Sequence, residues 1–156
     1  MEETKPKTEQ LQIKFRISEI GVLLFELSQR FAELKMPLSK ESYEFRIDMK
    51  TGSREPDKIF SVLLFITLFE KRNDTVKIEL AKLNTLTSFE IQNFNEVFKK
   101  ENNALKIPNQ ILTMTSGIAI STARGIFSMS VKDTLLSNAI IPIVDPNLFL
   151  QNQTKK

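Results

Sequence analysis

The run from Ile107 to Ala123 carries no charged residue, and no other feature limits the fold of this chain as tightly. It sits inside the stretch Lys106–Met129, the one long segment with helical spacing. Ile107, Ile111, Met114 and Ile118 recur every three or four residues and form one stripe; Leu112, Ala119, Ala123 and Ile126 form a second. An uncharged helix cannot leave much of its surface in water. One face is expected to cover a sheet and another to meet a second partner, most simply another copy of the chain. Ile111, Leu112, Met114, Ile118 and Ala119 are therefore the candidate oligomer-interface residues. Pro108 suits the first turn, and Arg124-Gly125 suits the helix end.

The residues before this helix alternate with a strand period. Ile13, Phe15 and Ile17 alternate with polar neighbours, and Val22 to Phe25 resume as a more apolar run after Gly21, where a bulge is expected. Ser28 to Ser39 is a connection without period. Tyr43, Phe45, Ile47 and Met49 then share one face, with Glu44, Arg46 and Asp48 on the other. Lys50 to Lys58 reads as a polar hairpin loop, Ile59 to Phe69 as a central strand apolar on both faces, and Lys71 to Asp74 as a turn. A last strand begins at Val76, weakens, and recovers at Phe89 and Ile91. Asn93 to Lys100 is amphipathic and short and reads as a turn of helix or a capped loop. After the long helix, Phe127 to Ser130 is expected to leave in extended form, followed by a loop over Val131–Ala139 and an extended Ile140–Val144. Asp145-Pro146 reads as an N-cap with proline at the first helical position of a short C-terminal helix, Asn147 to about Gln153. The expectation is one α+β domain over residues 11–152, a four-stranded antiparallel sheet packed by one long helix plus a short C-terminal helix. Residues 1–10 read as a disordered arm and 153–156 as a tail.

Composition removes most chemistry. There is no cysteine and no histidine, hence no thiolate nucleophile or zinc site and no imidazole base. Four scattered glycines do not build a phosphate loop. The carboxylate pairs in view (Glu44 with Asp48, Glu41 with Glu44, Asp57 with Asp74) lie on a solvated strand face or beside turns. No enzymatic activity, metal or cofactor is expected. The net charge of +3 is spread along the chain without a basic stripe, which argues against nucleic-acid binding. The uncharged run holds Asn109, Gln110, Thr113, Thr115 and Ser116 and is short for a membrane span, and the charged N-terminus lacks the apolar core of a secretory signal. A cytoplasmic location without membrane insertion is the expectation.

The segments I-K-F-R-I and L-L-F-E-L, then E-F-R-I-D-M-K-T-G, I-F-S-V-L-L-F-I-T-L-F-E and T-S-F-E-I, precede I-P-N-Q-I-L, A-R-G-I-F and I-P-I-V-D-P-N-L-F-L. In this order and spacing, over roughly residues 11 to 152, the chain resembles a divergent member of the SecB family of protein-export chaperones. The resemblance implies a homotetramer, a dimer of dimers with long helices at the interface. It also implies ATP-independent binding of unfolded or pre-export polypeptides in apolar grooves. Carried over position by position, it places one groove wall on Phe45, Ile47 and Met49, with Tyr43 on the same face, and the other near Leu148 and Phe149. Glu26 and Glu70 match or lie near the acidic positions at which the family docks the SecA motor. Val22 and Leu23 replace a further acid there, and the chain is basic and ends Q-N-Q-T-K-K. These departures argue against motor docking and toward the SecB-like chaperones that guard antitoxins. A dedicated interaction module on the same scaffold, binding one folded partner, is the alternative.

Overall fold

The structure, a computed structural model, describes residues 12–149. The expected arm at 1–10, the tail at 153–156 and the end of the C-terminal helix lie outside the described residues. Four long strands form an antiparallel sheet: β1 (Phe15–Leu27), β2 (Tyr43–Arg54), β3 (Ile59–Lys71) and β4 (Lys77–Ile91), in the order β1-β4-β3-β2. β2, β3 and β4 follow one another as hairpins. β1 pairs on the far side of β4, so the connection 28–42 must travel the width of the sheet. It does so along one end, tied down by Ser28 (N to Leu80 O, 2.9 Å; Oγ to Glu79 O, 2.6 Å) and by buried Leu38, whose N–H donates to Leu135 O.

α1 (Phe94–Val97) and the hairpin of β5 (Lys99–Glu101) and β6 (Ala104–Lys106) lead into α2 (Asn109–Ser130). The β5–β6 turn places Asn102 and Asn103 at positive φ, where asparagine is tolerated. α2 lies across β3 and β4. On β3 the period of two is complete: Phe60, Val62, Leu64, Ile66 and Leu68 are buried beneath the helix layer, and the intervening residues are half-buried on the outer face. This is the central strand that its two apolar faces predict. The fold class, α+β with one long helix on a four-stranded antiparallel sheet and a short helix beginning at Asn147, is as expected. The Asp145 cap is present, its Oδ1 accepting the N–H of Asn147 at 2.9 Å.

Several boundaries differ. β2 continues through Thr51-Gly52-Ser53 to Arg54, because these residues stay in register with Val62, Ser61 and Phe60, and the ladder outweighs their turn chemistry. The turn is only Glu55–Lys58, closed by Lys58 N to Glu55 O with Lys58 at φ 55°. The irregularities of β1 fall at Ser18 and Leu23, and Gly21 pairs regularly with Leu86. β4 does not weaken in its middle; Leu83, Thr85 and Thr87 lie under α2, where threonine substitutes for an aliphatic. α2 passes through Arg124-Gly125 and Phe127–Met129 to Ser130, because buried Ala123 and Phe127 keep its stripe on the sheet.

Candidate functional site

β2 is an edge strand, and its alternate residues Tyr43, Phe45, Ile47 and Met49 oppose Glu70, Leu68, Ile66 and Leu64. They therefore share the helix side of the sheet, where each is half-buried and packs on the margin of the core. Phe45 meets Phe127 of α2 edge-on at 5.3 Å, and Tyr43 meets Phe45 in the same manner at 5.8 Å. Ser116 Oγ donates to the Met49 sulfur at 3.2 Å. These contacts define the floor of a trough between β2 and α2.

The chain after α2 turns back into this trough. Residues 140–144 have no regular secondary structure and make no backbone ladder with β2. Side chains hold them instead. The Tyr43 hydroxyl donates to Asn138 O at 3.3 Å and accepts from Ile140 N at 3.2 Å. On the opposite wall, Thr113 Oγ donates to Asn147 Oδ1 at 3.3 Å, and Pro146 packs against Gly117. Ile141 is buried and Val144 half-buried, whereas Ile140 is exposed and Ile143 is 86% exposed. Of the second expected wall, Phe149 is half-buried against the core and Leu148 points to solvent. Tyr43, Phe45, Ile47 and Met49 thus share one face, Phe149 packs on the same core, and Tyr43 and Thr113 tie the chain's own segment to β2 and α2.

The expected interface on α2 is placed differently. Ile111, Leu112 and Ala119 are buried in the subunit's own core, leaving Met114 exposed and Ile118 half-buried for any second copy. The uncharged surface finds its second cover in the C-terminal segment, because Thr113 and Gly117 lie on the flank that meets Asn147 and Pro146. Glu26 and Glu70 are not joined in one acidic patch. Glu26 lies on β1 opposite Lys82, whose ammonium contacts Glu79 at 2.9 Å and is held above its ordinary pKa range by that carboxylate. Glu70 lies on β3 beside the crossover, against Arg72 at 3.3 Å, and is mostly buried. Among the described residues, no group of three or more Asp or Glu side chains gathers as a metal site, and no helix is long and apolar enough to cross a membrane.

Sequence reasoning missed one surface. Ile17, Ile20, Val22, Leu23 and Leu24 of β1 are each between 37% and 56% exposed. Ile17, Ile20 and Val22 oppose Phe89, Thr87 and Thr85, so they continue the helix-side face beyond the edge of α2, which covers β3 and β4. The signal was the apolar run Val22–Phe25 itself, whose position at a sheet edge depends on the strand order.

Similarity to known proteins is visible in three dimensions. No protein-family profile matches the chain, and no curated protein matches it by sequence. The Mycobacterium tuberculosis SecB-like chaperone Rv1957, solved in complex with a ChAD peptide from the HigA1 antitoxin, superimposes with a TM-score of 0.58. The match covers 83% of this chain and 90% of that one at 10% identity. The fold is SecB-like. At that identity the likeness is one of architecture. A protein of unknown function from Streptococcus agalactiae aligns over 85% of this chain and 98% of its own, at 9% identity and a TM-score of 0.43. Within the SecB-like fold, the trough and the β1 strip both present apolar side chains at the surface without a full cover.

Proposed function

We propose that this chain is an ATP-independent, holdase-type chaperone that binds unfolded or pre-export polypeptides in the trough between β2 and α2. The row Tyr43, Phe45, Ile47 and Met49 carries this reading: four half-buried apolar side chains on an edge strand, facing a channel that accepts extended chain. Affinity there comes from apolar area, about 25 cal/mol per Å² buried. The Tyr43 hydroxyl bonds main-chain N–H and C=O groups and therefore holds a peptide irrespective of its sequence. No chemical step, nucleotide, metal or cofactor is needed. The peptide complex of the SecB-like neighbour supports the reading and makes an antitoxin one client class, with export precursors the other. Because Lys82 opposes Glu26, and Arg72 faces Glu70, we do not assign a SecA-docking role to either acid. The work is cytoplasmic, without nucleic acid or membrane insertion.

A homo-oligomer, built as a dimer of dimers, is part of the proposal. β1 leaves one side of its ladder unpaired and presents an apolar strip, which suits pairing with a second copy. In an antiparallel pairing centred on Gly21, Arg16 would oppose Glu26, and Ile20 would oppose Val22. Met114 and Ile118 remain for the contact between dimers.

A second reading, a dedicated module for one folded partner, is favoured by the trough already holding residues 140–149. One experiment separates the two. Stoichiometric amounts of this protein, without nucleotide, are added to a chemically unfolded, unrelated protein during dilution. Suppressed aggregation supports the holdase, and unsuppressed aggregation refutes it in favour of the module.

A further inference from the structure

The segment 140–149 has the attributes of a ligand rather than of a fold element. Residues 140–145 carry no regular secondary structure before the helical turn at Asn147, they make no ladder with the edge strand beside them, and the hydrogen bond that Ile140 N–H gives to β2 goes to one side chain, Tyr43. Ile141 is buried and Val144 half-buried, whereas Pro142 and Ile143 between them are in solvent. A single hydrogen bond, Thr113 to Asn147, and the Pro146–Gly117 contact tie the segment to α2, and Ile141, Val144 and Phe149 pack on the core.

Its fit is also incomplete. Arg124 lies seven residues beyond Gly117, two helical turns along the same stripe, on the flank the segment covers. The Nε of Arg124 is buried there without a hydrogen-bond partner among the described residues. A segment serving only as core would be expected to satisfy that donor and to cover Ile140 and Leu148, both exposed.

We propose that residues 140–149 are a built-in competitor: an internal peptide that occupies the client groove and must be displaced by an extended apolar peptide, which takes over the Tyr43 hydrogen bonds and the surface beneath Ile141. The inference rests on the groove assigned above and adds its regulation. Clients that win are those that bury more apolar surface than Ile141, Val144 and Phe149 do, so occupancy sets an affinity threshold. Short polar segments fall below it.

The test exploits the absence of cysteine from the chain. The double variant Thr113→Cys/Asn147→Cys places the two new thiols where side chains already meet, and oxidation locks the segment to α2. The probe is a fluorescein-labelled peptide of this chain's residues 139–149 with phenylalanine in place of Val144, which offers more apolar surface than the segment itself, followed by anisotropy, with thiol content counted by mass. The reduced double variant is expected to bind as the unmodified protein does. The oxidised form is expected to bind at least about tenfold more weakly, with recovery on reduction. Equal binding by oxidised and reduced forms overturns the inference while leaving the groove in place. Absence of binding by the unmodified and reduced proteins alike overturns the groove assignment, and the inference with it. Asn147→Ala gives an independent reading in the opposite direction. Loss of one neutral hydrogen bond, about 1 kcal/mol, should tighten probe binding about fivefold. Unchanged or weaker binding by Asn147→Ala counts against the competitor.

Discussion

Replacing Ile20 and Val22 together by lysine should break the proposed β1–β1 pairing of two copies without unfolding the subunit. Both side chains are about half exposed, so a partner strand removes from water roughly half of what full burial would. Full burial of such a side chain is worth about 1.5–3 kcal/mol, which leaves about 1 kcal/mol for each. Two positions on each of two subunits give about 4 kcal/mol, and at 1.4 kcal/mol per factor of ten the dimer weakens by about three orders of magnitude. Four ammonium groups brought together across the new strand pair add to that loss. The isolated subunit should change by no more than about 0.5 kcal/mol, as exposed substitutions away from caps and cores do. Sedimentation velocity across a hundredfold range of concentration reads the first effect, and urea unfolding reads the second. A double variant that sediments like the parent would refute the β1 assignment. The parallel variant Met114→Lys/Ile118→Lys would then show whether α2 carries the contact, as the uncharged helix first suggests.

Thr85→Val and Thr87→Val should each stabilise the subunit by about 1 kcal/mol. Both hydroxyls are buried without a partner, and valine keeps the shape while removing the desolvated group; a lower urea midpoint would mean that the hydroxyls are satisfied. Gly125→Ala should raise the thermal midpoint through about 1 kcal/mol of helix propensity, because Gly125 is inside α2 and nothing lies within 4 Å of an added Cβ. Phe45→Asp should abolish client binding while the far-ultraviolet circular dichroism persists. Retained binding would place the groove elsewhere.

The strands and the helix were legible because their periods are imposed by burial. Ile59 to Phe69 could be read as central from its two apolar faces, and Tyr43 to Met49 as half-buried from their alternation. Boundaries were less legible where pairing overrides local chemistry. Thr51-Gly52-Ser53 has the composition of a turn, yet Val62, Ser61 and Phe60 hold it in the ladder. Arg124-Gly125 has the look of a helix end, but Phe127 one turn later has a place waiting against Phe45. The residues of the trough were nameable on one strand only. That the second half of the trough is filled by residues 140–149 depends on a hydrogen bond between positions 43 and 140, which no local pattern encodes. The β1 strip was hidden for a similar reason: an apolar run looks the same at an edge as at a centre, and only the order β1-β4-β3-β2 tells them apart.

The two margins of the sheet differ in character, and the difference limits growth. Along β2 the outward positions are Glu44, Arg46, Asp48 and Lys50, with Arg46 paired to Asp48 at 2.9 Å and Lys50 over the Phe65 ring. Along β1, five aliphatic residues, Ile17, Ile20, Val22, Leu23 and Leu24, are exposed between Arg16 and Glu26. Joining two copies through β1 consumes both greasy margins at once and leaves a charged β2 at either extremity. A third copy arriving in the plane meets alternating charges on a strand instead of an apolar template. In-plane addition through β1 would therefore terminate after a single step, and the sheet edges would not propagate a polymer.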